Sequence, residues 1–235
     1  MRHGLERASC TGADCSSTVT RVYLVRHGQT ALNVAGVLRG HLDPPLDEVG
    51  VEQARRLGST LGDRGVTLVV SSTLRRALET SRPIATRAGL GVVTDSRWVD
   101  RDCGLWAGLG RDVAEAEWGS IEDAPGVEPS DAVRARASAA LDDVGQWVRG
   151  GVAVIVSHDV VIRLALVDLD RDLGDPDQLP QETDCFNGLE LRGESWKVVS
   201  LNELPGGLTR SRPDNNARPG RTVVQEGGVS DGHGR

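Results

Sequence analysis

Two short runs decide the fold: Arg21–Val25, RVYLV, which continues into Arg26-His27-Gly28, and Val152–Ser157, VAVIVS, which continues into His158-Asp159. The second is continuous and β-branched, the pattern of a central strand buried on both faces. The first is a shorter apolar run and reads as the opening strand. Each ends directly in a histidine. In open α/β sheets, ligands bind beyond the carboxyl ends of the strands. The two imidazoles are therefore expected at one edge of one sheet.

Strands and helices alternate outward from these runs. Asp47–Arg64 carries apolar residues at Val51, Ala54, Leu57 and Leu61, a helical spacing with Asp47 as N-cap. Thr67–Ser71 reads as a strand and Thr73–Ala88 as a helix that Pro83 kinks or restarts. Gly91–Thr94 is a short strand, Ser130–Arg149 the longest helix, and Val160–Val167 a helix after the second histidine. Asp184–Leu191 and Trp196–Leu201 close the core as two strands around Arg192-Gly193-Glu194. This alternation predicts an α/β fold, a three-layer α/β/α sandwich with a mostly parallel central sheet. It occupies residues 20–205, between a polar leader (1–19) and a Gly- and Arg-rich tail (206–235), both expected to be disordered.

Composition narrows the function. The chain has 235 residues, with 27 Lys+Arg against 34 Asp+Glu and a formal net charge of -7. Non-specific nucleic-acid binding is driven by phosphate neutralisation, so an acidic chain argues against a nucleic-acid partner. No apolar run approaches the roughly 20 residues of a membrane helix, which argues against a membrane partner. Cys10, Cys15, Cys103 and Cys185 show no paired metal spacing, which favours a reduced, cytoplasmic setting. For Cys103, core packing is expected. The apolar helix faces leave a homodimer open.

The strand ends supply the chemistry. TLVVS ends at Ser71-Ser72 and leads into a helix with Arg75 and Arg76, neighbours that face about 100° apart, so that one of the two reaches the sheet edge. Guanidinium forks match phosphate oxygens. A histidine can attack phosphorus through one ring nitrogen while the other donates to a fixed acceptor. A second imidazole can stabilise the oxygens of the transition state. A carboxylic acid is still needed to protonate the departing alcohol. Cationic side chains take the place of a metal, so neither metal nor cofactor is expected, and the partner is a small phosphorylated substrate.

These residues sit in a recognisable order. LVRHGQTALN (Leu24–Asn33) resembles the signature of the histidine phosphatase superfamily, which includes the cofactor-dependent phosphoglycerate mutases. GHLDPPLDEVGVEQA (Gly40–Ala54), SSTLRRALET (Ser71–Thr80) and VIVSHDVVIR (Val154–Arg163) resemble its later segments, in order, so that the resemblance spans Val22–Leu204. It implies that His27 is the phosphorylated nucleophile. Arg26 and Arg76 would clamp the phosphate, with His158 completing the pocket and Asn33 donating to a phosphate oxygen. The family's acid is a Glu before a Gly-x-Trp-x-Gly stretch; Gly104–Gly108 is that stretch here and Asp100 holds the acid position. Three departures stand out: Asp100 is one methylene shorter than Glu, Asp159 replaces the usual Gly after His158, and Arg39 replaces a neutral residue. Asp159 is therefore a second candidate for the acid. The tripeptide Arg2-His3-Gly4 repeats the signature by chance, since no strand precedes it.

Three activities compete. In the first, a metal-independent phosphomonoester phosphatase passes phosphate from His27 to water. In the second, a phosphoglycerate mutase-type phosphotransferase returns it to another hydroxyl. The third is a non-catalytic phosphate-binding interaction module. Leu109–Ser130, the expected cover of the site, carries Asp112, Glu115, Glu117, Glu122, Asp123 and Glu128 against Arg111. An acidic cover repels a bisphosphorylated cofactor and favours hydrolysis.

Overall fold

A computed structural model describes residues 18–207. Nearly all of the expected leader and tail, with Cys10, Cys15 and the Arg2-His3-Gly4 repeat, lies outside the described residues.

One six-stranded sheet contains β1 (Val19–Arg26), β2 (Leu68–Ser71), β3 (Val92–Thr94), β4 (Val152–Ser157), β5 (Phe186–Arg192) and β6 (Ser195–Glu203). Their spatial order is β3-β2-β4-β1-β5-β6. The neighbours β3, β2, β4 and β1 are parallel, whereas β5 runs antiparallel to β1 and β6 antiparallel to β5. The two runs that open the sequence reading are thus adjacent central strands, with Arg26 level with Ser157 at their carboxyl ends.

The helices are α1 (Ala31–Val34), α2 (Glu48–Leu61), α3 (Arg75–Ala88), α4 (Arg111–Trp118), α5 (Ser130–Trp147) and α6 (Asp159–Leu169). Strand alternation sorts them into layers. Val22, Leu24, Ala153 and Ile155 pack with Leu141, Val144, Ile162 and Leu166 of α5 and α6. Val25, Val154 and Val156 pack with Leu57, Leu61, Ala77 and Ile84 of α2 and α3. The α/β/α sandwich follows from these two cores.

Several local expectations change. α3 begins at Arg75, where Ser72 Oγ accepts from Leu74 N–H at 3.2 Å and the Asp43 carboxylate accepts from Arg75 N–H at 2.6 Å. It then continues through Pro83 without a break. Pro83 lies against α2 at Gly58, where an added Cβ would come within 2.9 Å of the proline ring. Close packing between two amphipathic helices outweighs the local breaking tendency. Asp184 sits at φ 61 in a turn, paired with Arg56 at 3.1 Å, so β5 starts later than expected. The β5–β6 hairpin turns at Gly193-Glu194, with Gly193 at φ 62. α4 is an addition, within the segment expected only as a cover. Ala114, Ile121, Ala124 and Val127 give this cover its own small core, against which Leu38 and Trp106 pack.

Candidate active site

β1 and β4 deliver Arg26-His27 and Ser157-His158 side by side beyond the sheet edge. The imidazoles of His27 and His158 are fully buried, with ring centroids 5.1 Å apart. The loop after His27 is pinned from two sides. A Cβ on Gly28 would lie 2.7 Å from the Gly50 carbonyl, so α2 presses directly on this glycine. Gly28 N–H donates to Thr80 Oγ1 at 3.0 Å, which ties the loop to α3.

His27 has a defined tautomer. Its Nδ1 lies 2.7 Å from the Gly28 carbonyl, which can only accept. The neutral ring therefore carries its proton on Nδ1 and a lone pair on Nε2, which accepts from Arg76 Nε–H at 3.2 Å. Burial pulls the His27 pKa well below 6.5, and Arg76, Arg26 and Arg39 push it further down. His158 is lowered in the same way, by burial first and then by Arg76. Its Nε2 is 2.9 Å from Ser72 Oγ, while its buried Nδ1 has no hydrogen-bond partner and lies 3.7 Å from Asp100 Oδ2.

Of the two neighbouring arginines, Arg76 reaches the site. It is fully buried and donates to the carbonyls of Leu42 (2.6 Å) and Gly40 (3.1 Å) and to Asp100 Oδ2 (2.9 Å). Arg75 is exposed and pairs along the helix with Glu79 at 2.8 Å. Arg26 donates to the Gln181 carbonyl and pairs with Asp159 at 3.3 Å; its buried Nε has no partner.

The two candidate acids sit in opposite environments. Burial raises the Asp100 pKa; Arg76 opposes this and the negative charge of Asp159 adds to it. Burial would raise Asp159 too, but Arg26, Arg39 and Arg163 together outweigh burial and hold it far below the usual carboxylate range. Arg39 meets Asp159 at 3.4 Å. Asn33 takes a local part: its Oδ1 accepts from Thr30 N–H at 3.0 Å and closes the capping box of α1. The structure brings Arg26, His27, Arg76, Asp100 and His158 together and places Asn33 in the capping box of α1.

Some contributors went unread in the sequence. Ser72 was visible as a strand end, with nothing to mark it as the partner of His158. Arg136 of α5 donates to the carbonyls of Arg97, Val99 and Asp100 and to Glu128, and so fixes the loop that carries Asp100. His41 also touches that loop, at 3.0 Å from the Asp100 carbonyl. Cys103 is buried, as expected of a packing residue, and burial pushes its thiol up to about 11.

A paired-histidine, paired-arginine pocket at the carboxyl edge of this sheet has a known kin: the chain belongs to the histidine phosphatase superfamily (branch 1), whose pattern matches residues 22–204. It is 33% identical over 195 residues to the probable phosphoglycerate mutase GpmB of Yersinia pestis (strain Pestoides F), covering 79% of this chain and 86% of that protein. Among solved structures, mycobacterial hydrolase 1 aligns with a TM-score of 0.70 and 29% identity, over 79% of this chain and 99% of that one. Mycobacterial glucosyl-3-phosphoglycerate phosphatase aligns with a TM-score of 0.70 and 27% identity, over 78% and 99%. The phosphoglycerate mutase of Bacillus anthracis str. Sterne shares the fold, with a TM-score of 0.73 at 23% identity over 80% and 95%.

Proposed function

We propose that this protein is a metal-independent phosphomonoester phosphatase that works through a phosphohistidine on His27. The observation that carries the reading is the His27 tautomer: Nδ1–H is tied to the Gly28 carbonyl and a lone pair remains on Nε2, between Arg76, Arg26 and His158. A neutral imidazole held in this way is a nucleophile at pH 7.

The substrate's phosphate dianion is held by Arg26 and Arg76. Ser72 Oγ already accepts from Leu74 N–H, so its own proton can go to His158 Nε2. His158 then keeps a proton on Nδ1, the atom without a partner in the free protein, for an oxygen of the transferring group. His27 Nε2 attacks phosphorus, the ester P–O bond breaks, and the departing alcohol takes a proton from Asp100. Water then attacks the phosphohistidine, giving its proton to the Asp100 carboxylate as the P–N bond breaks. Asp100 suits the acid because its environment favours the protonated form. Asp159 stays ionised and anchors Arg26 and Arg39.

A mutase is the second reading, favoured by the similarity to a protein named as a probable phosphoglycerate mutase. Hydrolysis is preferred because the cover, with α4 at its centre, is short and acidic. The test is inorganic phosphate release from a panel of phosphomonoesters without added metal, with wild type and His27→Ala. Release by wild type that disappears in the variant is expected, together with an acid-labile phosphate on wild-type protein caught by rapid quench. Phosphate moving between hydroxyls of one substrate, with no release, would establish the mutase instead.

A further inference from the structure

The guanidinium of Arg26 is only partly spent. Its Nη1 donates to the Gln181 carbonyl. Its Nη2 meets Asp159 Oδ2 at 3.3 Å, and Asp159 is the one carboxylate within 4.0 Å of Arg26 among the described residues. Its Nε–H is buried without a partner. Nε and Nη2 form the edge of a guanidinium that grips an oxyanion through two parallel hydrogen bonds. Asp159 therefore takes half of the edge that a phosphate needs and leaves the other half empty.

Asp159 is built to give that edge up. It opens α6, where its Oδ1 accepts from Val160 N–H at 2.7 Å and both of its oxygens lie 3.4 Å from Arg39 Nη2. These contacts hold the side chain when Arg26 turns to another anion. Asp159 also lines a cavity of about 500 Å³ that none of Arg26, His27, Arg76 and His158 lines, so its carboxylate has space on the side away from the phosphate. Arg26, Arg39 and Arg163 keep it ionised. A negative charge thus stands beside the phosphate pocket throughout.

We propose that Asp159 is an internal competitor of phosphate: it holds Arg26 while the pocket is empty, yields it to the phosphate of the substrate, and reclaims it as inorganic phosphate leaves, which limits inhibition by the product. The proposal rests on the reading that Arg26 binds phosphate. Asp159 acts through Arg26 and touches no reacting atom, so it is a positioning residue. A carboxylate that merely kept Arg26 in place would help phosphate to bind. One that competes for the arginine and repels the dianion weakens its binding. The two roles differ in sign.

The test is the affinity of the whole protein for inorganic phosphate at pH 7, by calorimetry and by inhibition of aryl phosphate turnover. Asp159→Asn keeps the shape and removes the charge. It is expected to bind phosphate more tightly than wild type, by about tenfold or more. Asp159→Glu keeps the charge and should stay near wild type. Asp177→Asn removes another carboxylate of the same cavity and should change little. Without phosphate, Asp159→Asn should melt below wild type, because Arg26 and Arg39 lose their counter-charge. Phosphate should then raise its Tm by more than that of wild type, so a weakened fold still gives a reading. Phosphate binding by Asp159→Asn that is unchanged or weaker would overturn the proposal. Equal tightening in Asp177→Asn would also overturn it, by tracing the effect to the field of the whole cavity. An aryl phosphate that wild type leaves intact would overturn the phosphatase reading instead, and the calorimetric affinities would still decide the role of Asp159.

Discussion

Asp100 and Asp159 line one cavity, yet their surroundings drive their protons apart. Asp100 has one guanidinium, Arg76, and one backbone N–H, that of Arg101 at 3.0 Å, against the cost of burial. Asp159 has Arg26 and Arg39 in contact and Arg163 nearby. Of the two, Asp100 is the one whose surroundings favour the proton, as its proposed role requires. Asp100→Asn should lower kcat for alkyl phosphates by about 10²–10⁴. Aryl phosphates, whose leaving groups depart without protonation, should lose far less; equal losses would remove Asp100 from the role. Asp159→Asn takes away a negative charge that favours protonated Asp100. The alkaline limb of the pH–rate profile should then move to lower pH, and a limb that stays in place would assign it to another group. Both acids are legible as candidates because they sit at fixed offsets from recognisable runs. The resemblance favours Asp100 from its flanking pattern, but the physical reason lies in the fold, which brings Arg26 and Arg39 to Asp159 from far earlier in the chain.

Elements set the precision with which Asp100, the proposed acid, is held. Arg136, on α5, spends all five of its N–H donors: on the carbonyls of Arg97 (2.6 Å), Val99 (2.8 Å) and Asp100 (3.2 Å) and on both oxygens of Glu128 (2.8 and 2.9 Å). Glu128 in turn accepts from Asp102 N–H at 3.2 Å. One helix thus fixes the irregular segment that presents Asp100. Arg136→Lys keeps the charge and loses the fork. A displacement of about 1 Å at the acid can cost on the order of 100-fold, so alkyl phosphate kcat should fall toward that factor while aryl phosphate turnover changes little. A parallel fall in both would mean that Arg136 supports the fold alone. Nothing in the spacing of Glu128 and Arg136 announced this clamp, because its targets are backbone carbonyls, which any sequence supplies. The regular elements were legible for the opposite reason. β1 and β4 are apolar runs whose two faces each meet a helical layer, and α2 carries its apolar stripe and its Asp47 cap in plain view. α3 does not restart at Pro83, and the contact there, with Gly58 on α2, lies 25 positions away where the local sequence does not announce it.

At the scale of the whole molecule, the two buried imidazoles tie stability to the chemistry. The sheet edge on which they sit followed from sequence alone, but their burial did not, since it requires α2, α3 and the Asp100 loop to close over them. Both have pKa values well below 6.5 in the folded protein, with burial the largest cause. In the unfolded chain they titrate near 6.5. Below that pH the unfolded chain binds protons that the folded protein refuses, so the histidines' contribution is whole above about 6.5 and is lost as pH falls. Each histidine can contribute a slope of about 1.4 kcal/mol per pH unit, about 2.7 kcal/mol for the pair, until its folded pKa is reached. Asp100 acts in the opposite sense. Its pKa is raised on folding, so protonating it recovers some stability at lower pH, between its folded value and 3.8. Urea unfolding at pH 7, 6 and 5 should therefore show stability falling with pH, and His158→Gln should remove about half of the slope between pH 6.5 and the onset of carboxylate titration. A flat profile over that range would mean that the folded protein takes up protons on its imidazoles as readily as the unfolded chain, and stability that rises as pH falls would mean that the folded protein holds them protonated. A protonated His27 has no lone pair on Nε2 and cannot attack phosphorus, so the same curve that reports stability also tests whether the nucleophile is ready at neutral pH.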